Sequence, residues 1–254
     1  MINETRALSS RILSFVPAQS ENTEVTRAAN HSVKLIMTFP IMLKYHITVD
    51  GHCPEIDIDM ETTDAEIEDA KRDALRKELC GNIWDMSDDE ERERIERCLN
   101  AGHRPLHVLQ ELSVINSQVF QKPKEQGGAG LDPIHVDEIH RSVTRFQDVL
   151  GACERIYKTP IYTGFSRFTS RCVFLWCNLI PLGLYPILGP AATAPTSVIV
   201  ALFMYGLDDV GGRIEEPFGC LPLWQYCDGI VGTCRQLLQA DDELKASLSS
   251  SSYS

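Results

Sequence analysis

Charged side chains stand at both ends of one apolar run, and their types limit the chemistry available. Glu154, Arg155, Lys158, Arg167 and Arg171 precede a stretch, Cys172 to Leu207, that holds no charged residue; Asp208, Asp209, Arg213, Glu215 and Glu216 follow it. An Arg–Glu pair drawn from Glu154, Arg155, Glu215 and Glu216 would fix geometry at an apolar–aqueous boundary more than it would add stability. The plain alternative is a set of independently solvated charges. Arg167 and Arg171 lie one helical turn apart. They suit anchoring at such a boundary, with attraction of small anions as the second reading. The histidine pairs His103–His107 and His135–His140 lack the further closely spaced ligands that zinc requires, so no metal site is expected. Cys220, Cys227 and Cys234 recur every seven residues, the period of one helix face rather than of a ligand cluster. There is no G-x-S-x-G, phosphate loop or HExxH, so neither an enzyme nor a cofactor is expected.

The elements that must position these residues are helices. No stretch alternates apolar and polar residues as a strand would, and the class is all-α. Residues 1–26 read as a short helix and loop. Residues 27–160 read as a helical soluble domain. Within it, Pro40 kinks or restarts one helix, Asp64 caps the next with Gly81 as its stop, and Ser87 caps another. Residues 51–63 read as a loop. From about Pro133 to Tyr157 the apolar stripe Val136, Ile139, Val143, Phe146, Leu150, Cys153, Ile156 marks a long amphipathic helix. Residues 212–244 read as a further helical segment of that domain and 245–254 as a disordered tail. The formal net charge of -12 argues against nucleic acid as a partner. Its concentration between Glu55 and Glu96 reads as a solvated helical region. Nine widely spaced cysteines read as reduced, mostly buried thiols in a reducing compartment. The N-terminus shows no apolar run long enough for a signal peptide, and Glu4 weakens a transit-peptide reading.

The uncharged run is too long for one span and is interrupted by Pro181, Pro186, Pro190 and Pro195. Two short transmembrane helices joined at "YPILGP" fit it, within residues 161–211, with Thr169, Ser170 and Asp208 at the interface. Asn178, Thr193, Thr196 and Ser197 would make the helices face each other or a cavity. Both flanks then lie on one side, the cytoplasmic-equivalent one by their arginines and lysines. A buried hairpin in a soluble helical bundle is the competing reading.

"GACERIYKTPIYTGFSRFTSRCVFLW" and "GLDDVGGRIEEPF" resemble the bestrophin-like chloride channel family. Its first signature, C-E-R-I-x-x-T-P-I-P followed by Y-T-R-H-T-S-R, is matched from Cys153 to Ile161 and at Arg167, Thr169, Ser170 and Arg171. Its second, G-I-E-E-I-G-x-x-I-E-E-P-F, is matched from Gly206 to Phe218 with conservative changes. The resemblance runs from about Arg27 to Arg235 and is closest to plant and algal thylakoid members. It implies a pentameric subunit around an axial pore that passes chloride, in some members linked to bicarbonate, in a multi-pass membrane assembly contacting lipid. It also places Ile161 near the cytosolic aperture, where an apolar ring gates by dewetting; a buried isoleucine at a helix end is the alternative. Tyr162, Phe165 and Phe168 depart from the signature. The family's first two membrane helices, and the neck they carry, have no counterpart in this sequence. "CLPLWQYC" stands where animal members have an acidic calcium clasp, so calcium gating is not implied. A non-conducting scaffold, or a hetero-oligomer with a full-length relative, therefore stands beside the homo-pentameric channel as an expectation.

Overall fold

Helix α2, Thr23–Ile47, is mostly apolar beyond its first two turns and is buried almost continuously from His31 to Ile47. A helix of that composition has to be surrounded, and α1 (Ile2–Phe15), α3 (Asp64–Asn82), α4 (Asp89–Leu99), α5 (Arg104–Ile115) and α9 (Leu223–Ser251) all pack on it. The computed structural model describes residues 1–15, 23–48, 64–126, 128–159, 163–215 and 217–251. The expected loop at 51–63 lies outside them. Among the described residues every regular element is helical, so the chain is all-α. It divides into two units: Met1–Cys153 with Pro222–Ser254, and Glu154–Leu221.

Pro40 does not end α2. Proline removes one backbone donor, at a cost of about 3 kcal/mol in an exposed helix interior, but here tertiary packing outweighs it. Phe39 meets Phe146 of α6 (Pro133–Lys158) edge-on, with ring centroids 5.3 Å apart. The Cys227 thiol on α9 donates to the Pro40 carbonyl at 3.4 Å. The α6 stripe is buried at Ile139, Val143, Phe146 and Leu150, as its spacing predicts, but Ile156 is 52% exposed and the stripe ends a turn early. On α9, Cys227, Ile230, Val231, Cys234 and Leu238 form the buried face. Cys220 belongs to the separate short helix α8 (Pro217–Cys220), so the seven-residue cysteine period does not run along one helix. Burial pushes the Cys98 thiol up to about 11 and the Cys227 thiol up to about 12, which keeps both protonated.

Several expected boundaries move. Asp64 is the first residue of α3 rather than its cap, and Gly81 lies inside its last turn. Asp88, not Ser87, is the N-cap of α4. The 26/27 boundary falls inside α2, and 211/212 inside α7 (Thr163–Glu215). Helix α9 continues through Ser251, past the expected start of a disordered tail at 245. An i,i+4 pair between Asp241 and Lys245 and a Ser247 hydroxyl bonded to the Leu244 carbonyl support those turns.

The acidic helices are not simply solvated. Two lysines on α2 are buried, and each meets a carboxylate from this region: Lys34 Nζ donates to Glu91 at 2.6 Å, and Lys44 Nζ to Glu78 at 2.5 Å. Glu91 also accepts from the Asp88 backbone N–H at 3.1 Å, so one carboxylate caps α4 and neutralises α2. Lys44 further lies 4.6 Å from the Tyr45 ring centre and 5.5 Å from that of Trp224 on α9. Removing one partner of such a pair strands the other charge, at roughly 3–5 kcal/mol. Lys44→Met alone is expected to lower the unfolding free energy by that amount. The double variant Lys44→Met/Glu78→Leu recovers most of it, measured by denaturant unfolding in detergent; equal losses in both would contradict the pairing.

Candidate functional site

Unit Glu154–Leu221 is built almost entirely from α7. Its backbone is helical apart from Gly189, at φ 71° and ψ 171°. That region of backbone space is essentially closed to residues with a Cβ, and Gly189 lies inside the "YPILGP" joint. The two arms, 163–188 and 190–215, fold back on each other there. Ser170 donates its hydroxyl to the Asp208 carboxylate at 2.9 Å, although along a straight helix the two would be about 57 Å apart. They lie equally far in sequence on either side of Gly189, so the contact fixes an antiparallel register.

The arms meet along one face each. The less exposed positions run Thr169, Val173, Cys177 on the first arm and Thr196, Val200, Met204 on the second, in steps of four. The hydroxyls on this stretch are satisfied locally. Thr193 bonds the Gly189 carbonyl at 2.6 Å, Thr196 that of Ala192 at 2.8 Å, and Ser197 that of Thr193 at 2.7 Å. Asn178 does the same to Phe174. Each of these four side chains therefore finds a backbone partner one turn back in its own arm.

The remaining faces are apolar and open. Leu182, Ile187, Leu202 and Phe203 are 66–79% exposed within the chain. Taking each such side chain out of water is worth about 1.5–3 kcal/mol, so these residues alone forgo on the order of 5–10 kcal/mol, comparable to the whole stability of a domain. Among the described residues one helix, within Gly164–Ile214, is long and apolar enough to cross a membrane, and only 6% of its most apolar window is buried. Each arm has an uncharged length of about 26 Å at 1.5 Å per residue, against a hydrocarbon thickness of about 30 Å.

Charges gather at the base of the hairpin. Arg167 and Arg171 are exposed on the first arm, a turn before the uncharged stretch. On the second arm Asp208 holds Ser170, and Asp209 pairs with Arg213 at 3.0 Å. Glu154 pairs with Lys158 at 3.6 Å, one turn along α6, and the Arg155 carbonyl accepts from the Thr159 hydroxyl. Among the described residues Arg155 makes no ion pair. Ile161 and Glu216 lie outside the described residues, and of Glu215 only the backbone, the last of α7, is described. The Ser170–Asp208 contact is the link that sequence reasoning did not make, though both residues stand out as polar positions flanking the run. Of the paired histidines, His103 Nδ1 accepts from the Leu106 N–H at the start of α5, and His135 stacks on Phe15 of α1 with centroids 4.0 Å apart.

The sequence model of the family described as Bacterial/Fungal Bestrophin protein matches residues 1–236. A voltage-dependent anion channel-forming protein of Synechocystis is 31% identical over 147 residues, which is 55% of this chain and 47% of that protein. A chloroplastic voltage-dependent chloride channel of Arabidopsis thaliana is 22% identical over 245 residues, 96% of this chain and 49% of that one. The chain thus spans about half the length of these curated relatives. A crystal structure of a bacterial bestrophin homologue from Klebsiella pneumoniae superposes with a TM-score of 0.69 at 19% identity, covering 93% of this chain and 74% of that one; it shares the fold.

Nothing lies within 4 Å of a Cβ built on Gly189, so its constraint is conformational, not steric crowding. Gly189→Ala is expected to cost about 1–3 kcal/mol, read as reduced thermal stability in detergent. Gly183→Ala, at a regular helical position, should be neutral or stabilising. Equal effects at the two glycines would contradict the turn.

Proposed function

The chain belongs to the bestrophin family, and from that premise we propose that it is an anion channel subunit whose α7 hairpin crosses the membrane twice. The observation that carries the reading is the hairpin itself. Its two antiparallel arms satisfy the Thr193, Thr196 and Ser197 hydroxyls internally, expose large apolar side chains outward and keep their charges to the base. Lipid and neighbouring subunits are the media that such a surface fits. The names of the Synechocystis and Arabidopsis relatives, anion and chloride channels, support chloride as the cargo; bicarbonate is a second candidate that rests on the family resemblance alone.

In this reading the subunit assembles as a homo-pentamer around an axial pore. Glu154–Leu221 is the membrane hairpin, and the other helices form the soluble domain on one side of the membrane. Arg167 and Arg171 sit where the helix leaves the hydrocarbon and anchor it there, their aliphatic stems in the apolar layer and their guanidinium groups in water. Ile161 takes the aperture role that the family signature gives it, an apolar constriction that an anion with a weakly held hydration shell passes most readily. Glu154, Arg155, Glu215 and Glu216 hold the base of the hairpin. The membrane is the thylakoid, a placement that leans on the chloroplastic relatives.

The purified chain, reconstituted in a planar bilayer under a chloride gradient, is expected to give unitary steps that reverse near the chloride potential. Ile161→Ala should raise conductance severalfold. Silence from a chain that is inserted and oligomeric would overturn the conducting reading. It would favour a non-conducting assembly partner, which the same experiment tests by adding a full-length relative and recording whether current amplitude changes.

A further inference from the structure

A cavity of about 260 Å³ lies between α2, α4 and the end of α5, and His31 is at its wall. The His31 side chain is only 5% exposed. Neither of its ring nitrogens hydrogen-bonds to a described residue. Its nearest charge is Glu91, whose Oε1 is 3.8 Å from His31 Nδ1, beyond hydrogen-bond range. The other oxygen of Glu91 is already taken by Lys34 Nζ at 2.6 Å and by the Asp88 N–H at 3.1 Å. A buried imidazole with no bond, an open cavity beside it and a half-used carboxylate just out of reach is a group poised to change its charge.

We propose that His31 is a proton-binding site whose occupancy sets how tightly α4 is held to α2. The charged groups around it come from three helices. On α2 they are Glu24, Arg27 and Lys34; on α4, Glu90, Glu91 and Arg94; on α5, Glu111. Arg94 is committed to Glu90 at 3.2 Å and Glu111 at 3.1 Å, so those two carboxylates are already answered. Glu91 is the acceptor left to an imidazolium, and Lys34 holds it. Protonation therefore adds a cation beside Lys34 and Arg94 and makes two buried cations compete for one carboxylate. The carboxylate that would be pulled away from Lys34 is the one that caps α4, so the competition is felt by the α2–α4 contact and by the first turn of α4 together. The exposed Glu24, Arg27 and Glu90 form the cavity's outer rim, through which the proton arrives.

The sign follows from burial. Desolvation outweighs the attraction of Glu91 and pushes the His31 pKa below its ordinary 6.5. The unfolded chain then binds the proton more readily than the folded one. The contribution is fully present above pH 6.5 and is lost as pH falls below it towards the folded-state value.

The test uses the full chain in detergent at pH 7.5 and pH 5.5. The wild type is expected to hold its melting temperature from pH 7.5 down to about pH 6.5 and to lose at most about 3–5 °C per pH unit below that. His31→Gln, which cannot titrate, should lose that component and leave the rest of the pH profile intact. Because His31→Gln sits in the core and can fail to fold, hydrogen exchange of the wild type is the second measurement. After correction for intrinsic exchange, amides of residues 31–34 and 88–94 should lose protection at pH 5.5 more than those of α6 do. A His31→Gln profile that tracks the wild type, or unchanged protection at 88–94, overturns the proposal.

Discussion

Two lysines in the buried stretch of α2 set the terms on which the larger unit exists. Lys34 and Lys44 are carried into the interior by their neighbours on α2, and a buried ammonium is tolerated only with a partner. Glu91 and Glu78 supply those partners from α4 and α3. The pairs are better read as constraints than as sources of stability, since an apolar replacement of both members is commonly neutral. What they do is choose a register. α3 and α4 cannot slide or rotate on α2 without stranding a charge, and because Glu91 also caps α4, the position where that helix begins is tied to the same carboxylate. The His31 proton site is a consequence of that arrangement, since it draws on the carboxylate that the α2–α4 contact already uses.

The hairpin obeys the opposite constraint. The helices around α2 solve their apolar surface within the chain; α7 does not, and leaves long runs of Leu, Ile and Phe open. Its serine and threonine hydroxyls near the turn bond the carbonyl one turn back, and the charged side chains stay at the base. A small set of contacts then fixes its geometry. Gly189 makes the turn that a side chain would forbid, and Ser170 on Asp208 holds the two arms in register at the far end. Assembly with lipid and with further subunits is how the proposed channel completes what this surface lacks.

The all-helical class, the α6 stripe and the hairpin joint at "YPILGP" were legible because each rests on local information: periodicity, or a residue type that only one conformation suits. Boundaries that depend on tertiary packing were less so. Pro40 looks like a break in sequence and is not one, because the flanking residues are buried on all sides. The acidic region looks solvated, since nothing local distinguishes Glu78 and Glu91 from their exposed neighbours; the legible clue was on the other side, in two lysines embedded in an apolar stretch. At the hairpin base, Ser170 and Asp208 could be recognised as flanking residues, but their contact depends on the turn 19 residues away. Ile161 and the Glu215–Glu216 pair drew their assignment from the family signature rather than from packing.

The central claim is that the open faces of α7 meet hydrocarbon, and a spin-label depth measurement on the chain reconstituted in lipid tests it directly. Nitroxides at Leu182 and Leu202 should be relaxed by dissolved oxygen and shielded from a water-soluble nickel chelate. A label at Arg213, at the base, should show the reverse. Free access of the chelate to Leu182 and Leu202 would contradict the account and return α7 to an aqueous setting.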